Sequence, residues 1–226
     1  MKNKKDPPSL CDLVEDSERF THVIGLDEVG WGAIAGPLGV SAVVVPWDFK
    51  NPGFKDSKRY TTNNARIRGA EFAMENVLAH ETLFSLPQDV HKFGPGKSLS
   101  YLQRKIVRRL QKKYPDSLVV IDGNKRIQGV RKADQVSLVG ADALIPAVSA
   151  ASIIAKVERD QYMIELGNEL FPEWEFHKNK GYPTPEHLHK LKEWGPTRIH
   201  RLNVERVKQA LEKRGWYEDG ESTEGH

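Results

Sequence analysis

The chain of 226 residues has one cysteine, Cys11, and three methionines. A single thiol can close no internal disulfide and offers neither a zinc-ribbon spacing nor a redox pair. That excludes a disulfide-stapled secreted fold and makes the cytoplasm the expected location. No apolar run approaches the roughly 18 residues of a bilayer span, so no membrane association is expected. The basic start Met1-Lys2-Asn3-Lys4-Lys5 has no apolar stretch behind it, unlike an export signal. Neither sign of charge dominates, since 34 Lys and Arg face 31 Asp and Glu for a net charge of +3. So mild a bias does not by itself establish a polyanionic partner, and the placement of the cations matters more. Hydrophobic residues at 38% and charged residues at 29% fit a folded chain with a sizeable core.

What is present reads as mixed α/β. Val23-Ile24-Gly25-Leu26 and Gly39 to Val45 are buried strands, with the glycine-rich loop from Gly30 to Pro37 between them. Helical spacing recurs from Thr62 to about Ala79 and from Leu99 to Leu110, and Thr82 to Leu86 reads as a further strand. Leu118 to Ile121 is a strand stopping at Asp122. Helices follow over about Ala143–Gly167, from Pro185, and over Val204–Leu211. The expected organisation is an N-terminal arm at 1–22, a core at 23–170, a helical part at 171–216 and a disordered tail at 217–226.

Two strands end in acids, Asp27-Glu28 and Asp122. One acid after an apolar run is ordinarily a cap or turn former, but the repetition points further. Ser152, Lys156 and Asp160 lie four apart and share one helix face, while Ile153, Ile154 and Val157 bury the neighbouring one. Alone this could be a solvated Lys-Asp pair; beside the strand-end acids it suits a phosphate next to a metal. Four carboxylates without Cys or His ligand spacing favour oxygen-preferring Mg²⁺ or Mn²⁺ over zinc. Two such ions could stabilise attacking and leaving oxygens at phosphorus.

Cations cluster at Arg104, Lys105, Arg108, Arg109, Lys112 and Lys113, commonly just a solvated helix face. A second group from His177 to Arg201 interleaves cations with aromatics, including Tyr182, and is the better candidate for a nucleic-acid surface. His187 and His189, two apart, do not form a metal pair. Gly94-Pro95-Gly96-Lys97-Ser98 is not a phosphate-binding loop, because His91 stands where the leading glycine belongs and no buried strand precedes it.

Gly25-Leu26-Asp27-Glu28-Val29-Gly30-Trp31-Gly32, with Ala35-Gly36-Pro37 after it, resembles the opening motif of ribonuclease HII, the type 2 ribonuclease H family. Asp56-Ser57-Lys58, Ile121-Asp122-Gly123-Asn124, Ala147 to Asp160, His177 to Thr184, and Gly195-Pro196 with His200-Arg201 follow in order. The resemblance implies a ribonuclease H-like mixed sheet flanked by helices, with a C-terminal helical extension. It implies metal-dependent endonucleolytic hydrolysis, leaving 5′-phosphate and 3′-hydroxyl ends, of RNA in RNA/DNA hybrids and of ribonucleotides embedded in duplex DNA. Metal ligands and catalytic residues would be Asp27, Glu28, Asp122 and Asp160, holding two Mg²⁺ or Mn²⁺ ions. Nucleic-acid contacts would come from Gly30, Trp31, Gly32, Lys58, Ser152, Lys156, Tyr182 and Arg201.

Two departures from the family pattern stand out. Gly30-Trp31-Gly32 replaces the usual Gly-Arg-Gly, removing a cation, and His91 to Ser98 replaces a Glu-x-Asn-Ile-like stretch. A non-catalytic or junction-impaired duplex binder is therefore the alternative. Val29 is similar to the sister ribonuclease HIII, which usually carries a larger N-terminal domain. A monomer is expected.

Overall fold

The computed structural model describes residues 9–55 and 57–212. The tail at 217–226, the first eight residues of the arm, and Asp56 lie outside the described residues. Among the described residues two compact units divide the chain: those within 9–29, 39–84 and 99–159 form one, and those within 30–38, 85–98 and 160–212 the other. Gly30–Leu38 groups with the C-terminal residues rather than with the strands on either side of it.

The first unit holds a five-stranded sheet whose strands lie in the order Ala79–Ser85, Leu38–Pro46, His22–Val29, Ser117–Asp122 and Gln135–Leu138. β1 (His22–Val29) runs antiparallel to β2 (Leu38–Pro46). After helix α1 (Asn63–Glu75), capped by the Thr62 side chain, comes β3 (Ala79–Ser85). That helix stops short of the expected Ala79 because Asn76 caps it and the chain turns directly into β3. Short α2 (Pro87–Phe93) ends at Gly94, whose φ of 81° admits glycine readily, and Pro95 opens α3 (Pro95–Lys113). A helix therefore leads into Gly94–Ser98, which rules out a strand-led phosphate loop there.

β4 (Ser117–Asp122) lies parallel to β1 and to β5 (Gln135–Leu138), a short strand that sequence periodicity does not reveal. The single helix expected over 143–167 is broken into α4 (Ala141–Leu144) and α5 (Pro146–Leu170). Pro146 lacks an amide hydrogen and drives Ile145 to extended geometry (φ −110°, ψ 117°).

Strand alternation sends Val23, Leu118 and Val120 to one face, packed with Ala70, Ala73 and the small residues of α5. Ile24, Leu26, Val119 and Ile121 pack with Leu102, Ile106, Val107 and Leu110 of α3 on the other. The second unit adds α6 (Phe176–Asn179), α7 (Pro185–Trp194) and α8 (Glu205–Glu212). Its core gathers Ile34, Met163, Trp174, Phe176, Leu191, Ile199 and Val207.

Gly25 sets the distance between β1 and α5. A Cβ there would lie 2.3 Å from the Ala147 carbonyl carbon and 2.5 Å from the Val148 nitrogen, both rigid backbone. Gly25→Ala is therefore expected to destabilise the protein by about 1–3 kcal/mol. Urea denaturation checks this, and an unchanged midpoint would refute the close contact.

Candidate active site

β1 pairs with β4 only as far as Leu26 opposite Ile121, while its pairing with β2 continues through Asp27, Glu28 and Val29. Asp27 and Glu28 thus sit just past the last residue of β1 that pairs with β4. They are strand residues, placed slightly further inside than a strand-end reading expects. Asp27 shares its face with Val23 and Gly25, and Asp122 shares that same face with Leu118 and Val120, so both acids turn toward the α5 side.

Each acid has one oxygen fixed by backbone. Asp27 Oδ1 accepts from the Glu28 amide at 2.8 Å, and Asp122 Oδ1 accepts from the Ala141 amide at 2.9 Å. The second bond ties the end of β4 to the start of α4, which carries a further acid, Asp142, 5% exposed. Burial pushes the Asp27 carboxyl up to about 7 from an ordinary 3.8, against the Ser152 hydroxyl bond, and the charges of Glu28, Asp122 and Asp142 push the same way. Glu28 is raised for the same reasons, burial first and then Asp122 and Asp142, with Lys58 opposing.

Asp142 is the acid that sequence reading missed. It resembles an ordinary first-turn acid of a helix, and the bond from the neighbouring Ala141 amide to Asp122 together with its own pairing to Lys58 reveals its place. The expected fourth ligand, Asp160, is buried two turns beyond Ser152 on α5 and opens the second unit. Asp142, with Asp122, is among the acids whose charge acts on Asp27 and Glu28.

Positive charge and hydroxyls attend the cluster. Lys58 Nζ lies 2.8 Å from Asp142 Oδ2. Ser152, itself buried, donates to Asp27 and lies 3.3 Å from the Ser57 hydroxyl. Lys156 follows one turn on, half-buried. Ser41, directly opposite Asp27 on β2, is fully buried, and among the described residues its hydroxyl has no hydrogen-bond partner.

Among the described residues no three His, Cys, Asp or Glu side chains converge on one point as a ready ligand set. The donor chemistry nevertheless fits a divalent, oxygen-preferring cation: crowded carboxylates, one with its charge held back by burial and neighbours, gain most from a positive ion.

The remaining expected residues lie in the second unit. Trp31 is 52% exposed, between Gly30 and Gly32. Arg201, expected to contact nucleic acid, is 1% exposed and has another task. Its Nε donates to the Gly36 carbonyl at 2.9 Å, and Nη1 and Nη2 donate to Gly30 and Pro37 at 2.7 Å each. The planar guanidinium fork thereby shapes the Gly30–Pro37 loop. Gly181 lies against the same loop; a Cβ there would meet the Ala35 carbonyl oxygen at 2.3 Å.

Tyr182 is anchored through its carbonyl by His187 Nδ1 at 2.8 Å. His187 Nε2 meets His200 Nε2 at 3.0 Å, while His200 Nδ1 accepts from the Thr197 amide. These bonds fix both tautomers: His200 carries its proton on Nε2 and donates it to His187. Burial lowers both pKa values, that of His200 to about 3, so the pair stays neutral. His200, expected on a binding surface, is instead a buried strut.

A five-stranded mixed sheet with acids on two adjacent central strands defines a protein of the ribonuclease H class. Ribonuclease H2 from Pyrococcus horikoshii shares the fold with a TM-score of 0.62 at 24% identity, covering 85% of this chain and 98% of that one. Bst-RNase HIII, solved in complex with Mn²⁺, gives 0.69 at 22% identity over 87% and 71% of the two chains. The ribonuclease HII family model matches residues 24–207. Ribonuclease HII of Endomicrobium trichonymphae is 34% identical over 192 residues, 85% of this chain and 89% of its relative. That of Idiomarina loihiensis is 35% identical over 189 residues, 84% and 98% of the two chains. The chain belongs to the ribonuclease HII family and is a ribonuclease H enzyme.

The raised Asp27 pKa has a thermodynamic consequence. Between pH 3.8 and about 7 the folded carboxyl retains a proton that the unfolded chain has released. Metal-free protein therefore loses stability as pH rises through that window, and the loss is complete above it. Denaturation midpoints from pH 4 to 8 in EDTA should show this slope, and Asp27→Asn should flatten it; equal slopes in both proteins would refute the assignment.

Arg201→Lys should leave the fold intact while raising amide exchange across Gly30–Pro37, because one ammonium cannot bridge three carbonyls. Unchanged exchange would contradict the strut.

Proposed function

We propose that this enzyme hydrolyses RNA within RNA/DNA hybrids, and ribonucleotides embedded in duplex DNA, at a divalent-metal site formed by Asp27, Glu28, Asp122 and Asp142. The observation that carries this reading is the buried Asp27 carboxyl, raised to about 7 with three other acids acting on it. A binding protein gains nothing from acids crowded where phosphates must approach, whereas a metal-dependent hydrolase requires them. Two Mg²⁺ or Mn²⁺ ions, when bound, would activate water and stabilise the departing 3′-oxygen.

The chain's own groups do the rest. Hydrogen bonds from the backbone amides of Glu28 and Ala141 to Asp27 Oδ1 and Asp122 Oδ1 orient these carboxylates. Ser152 holds Asp27 in one rotamer, and Lys58 and Lys156 supply charge for the phosphates flanking the cut. Tyr182, anchored by His187, would pack on a sugar, with the exposed Trp31 ring stacking where the family has arginine. Amides of Gly30 and Gly32 would read the 2′-hydroxyl that distinguishes RNA from DNA. The products would carry 5′-phosphate and 3′-hydroxyl ends, and the protein would act as a cytoplasmic monomer.

Cleavage of an end-labelled RNA/DNA hybrid, and of a DNA duplex with one ribonucleotide, tests this. With Mg²⁺ or Mn²⁺ the wild type should cut both. Asp27→Asn and Asp142→Asn should lose about a hundredfold or more in rate, and Asp160→Asn should keep most of its activity. Loss in Asp160→Asn with activity retained in Asp142→Asn would restore the ligand set first expected. No cutting of either duplex, with binding intact, would favour the non-catalytic alternative.

A further inference from the structure

Residues 99–113 hold six Lys and Arg and no acid, and residues 123–132 hold four and no acid. Ten of the chain's 34 cations thus lie in two short stretches that contain none of its 31 carboxylates. These stretches adjoin. A Cβ on Gly129 would lie 3.5 Å from Arg108 Nη2 and 4.0 Å from Arg104 Cδ, so the loop packs beneath the α3 arginines. The same loop leaves directly from Asp122 at the end of β4.

Two of the ten reach out to acids beyond the stretches, Arg109 to Glu81 and Arg131 to Asp134. Among the described residues Arg104, Arg108, Lys112, Lys125 and Arg126 have no such carboxylate partner. Arg104, Arg108 and Lys112 recur every four residues on the side of α3 opposite its buried Leu102, Ile106 and Leu110. They span about 12 Å, between three and four base-pair rises. Tyr101, 54% exposed, lies under the Lys105 ammonium at 5.5 Å, joining an aromatic platform to the same surface. So many uncompensated like charges repel one another, and a polyanion relieves that repulsion.

We propose that the outer face of α3 and the loop at 123–132 form a phosphate track for duplex nucleic acid, engaging the backbone beyond the scissile position. This deepens the hydrolase reading and rests on it for the identity of the duplex. The track begins at the loop leaving Asp122 and runs outward along α3, so long duplexes gain contacts that short ones lack.

The test is equilibrium binding of a fluorescent 30-base-pair RNA/DNA hybrid in EDTA over a salt series, together with steady-state cleavage. For Arg104→Gln/Arg108→Gln/Lys112→Gln the dissociation constant should rise about tenfold, and the salt slope should fall by about 2.7, three phosphate contacts' worth. KM should rise with kcat unchanged. Lys125→Gln/Arg126→Gln, outside any helix, should move the same way and decides the matter if the triple variant folds poorly. Unchanged affinity and slope would overturn the track, as would an equal loss in a control triple at Lys50, Arg68 and Arg206. Wild-type protein that binds no duplex would also overturn it. A wild type that binds with the expected slope but never cleaves would refute the hydrolase reading and leave the track standing.

Discussion

The active site depends on how closely α5 approaches β1. At Gly25 the helix backbone occupies the space a side chain would fill, with Ala147 directly against the strand. That contact brings the first turns of α5 over the sheet and carries Ser152 to the Asp27 carboxylate two residues further along β1. The small residues Ala147, Ala150 and Ala151 serve the same approach from the helix side. Larger residues would move Ser152 and Lys156 away from the acids while leaving the strands themselves intact.

A second constraint follows from charge. Acids in a buried site raise one another's affinity for protons, and Asp27 registers the effect through both burial and three neighbours. Stability is given up locally, a compromise common where function sets the requirement. Lys58 against Asp142 and the Ser152 hydroxyl against Asp27 moderate the cost without removing it. The second unit shows the opposite design. Its polar groups, Arg201, His187 and His200, are buried and matched bond for bond, as a rigid support for a loop and a tyrosine requires.

Much of this was legible in the residues. Apolar runs ending in acids marked β1 and β4, and the Ser152-Lys156 spacing marked a helix face that meets them. Asp142 was hidden because its neighbours in sequence, Ala141 and Ala143, say nothing of Asp122, twenty residues earlier. β5 was missed because Gln135-Val136-Ser137-Leu138 is too short to show a period. Arg201 and His200 looked like surface cations because sequence does not show burial. Their partners are carbonyls of a distant loop for Arg201, and for His200 a histidine 13 positions away. The break before α5 at Pro146 was missed because the helical composition on both sides concealed it.

The central claim is that Asp27, Glu28, Asp122 and Asp142 together hold the divalent ion. The most direct measurement is a crystal structure grown with Mn²⁺, the ion located by its anomalous scattering. This account predicts manganese bound directly by Asp27 and Asp142, with Glu28 or Asp122 completing the set. Manganese bound by Asp160 with Asp142 uninvolved, or bound away from β1, would contradict it.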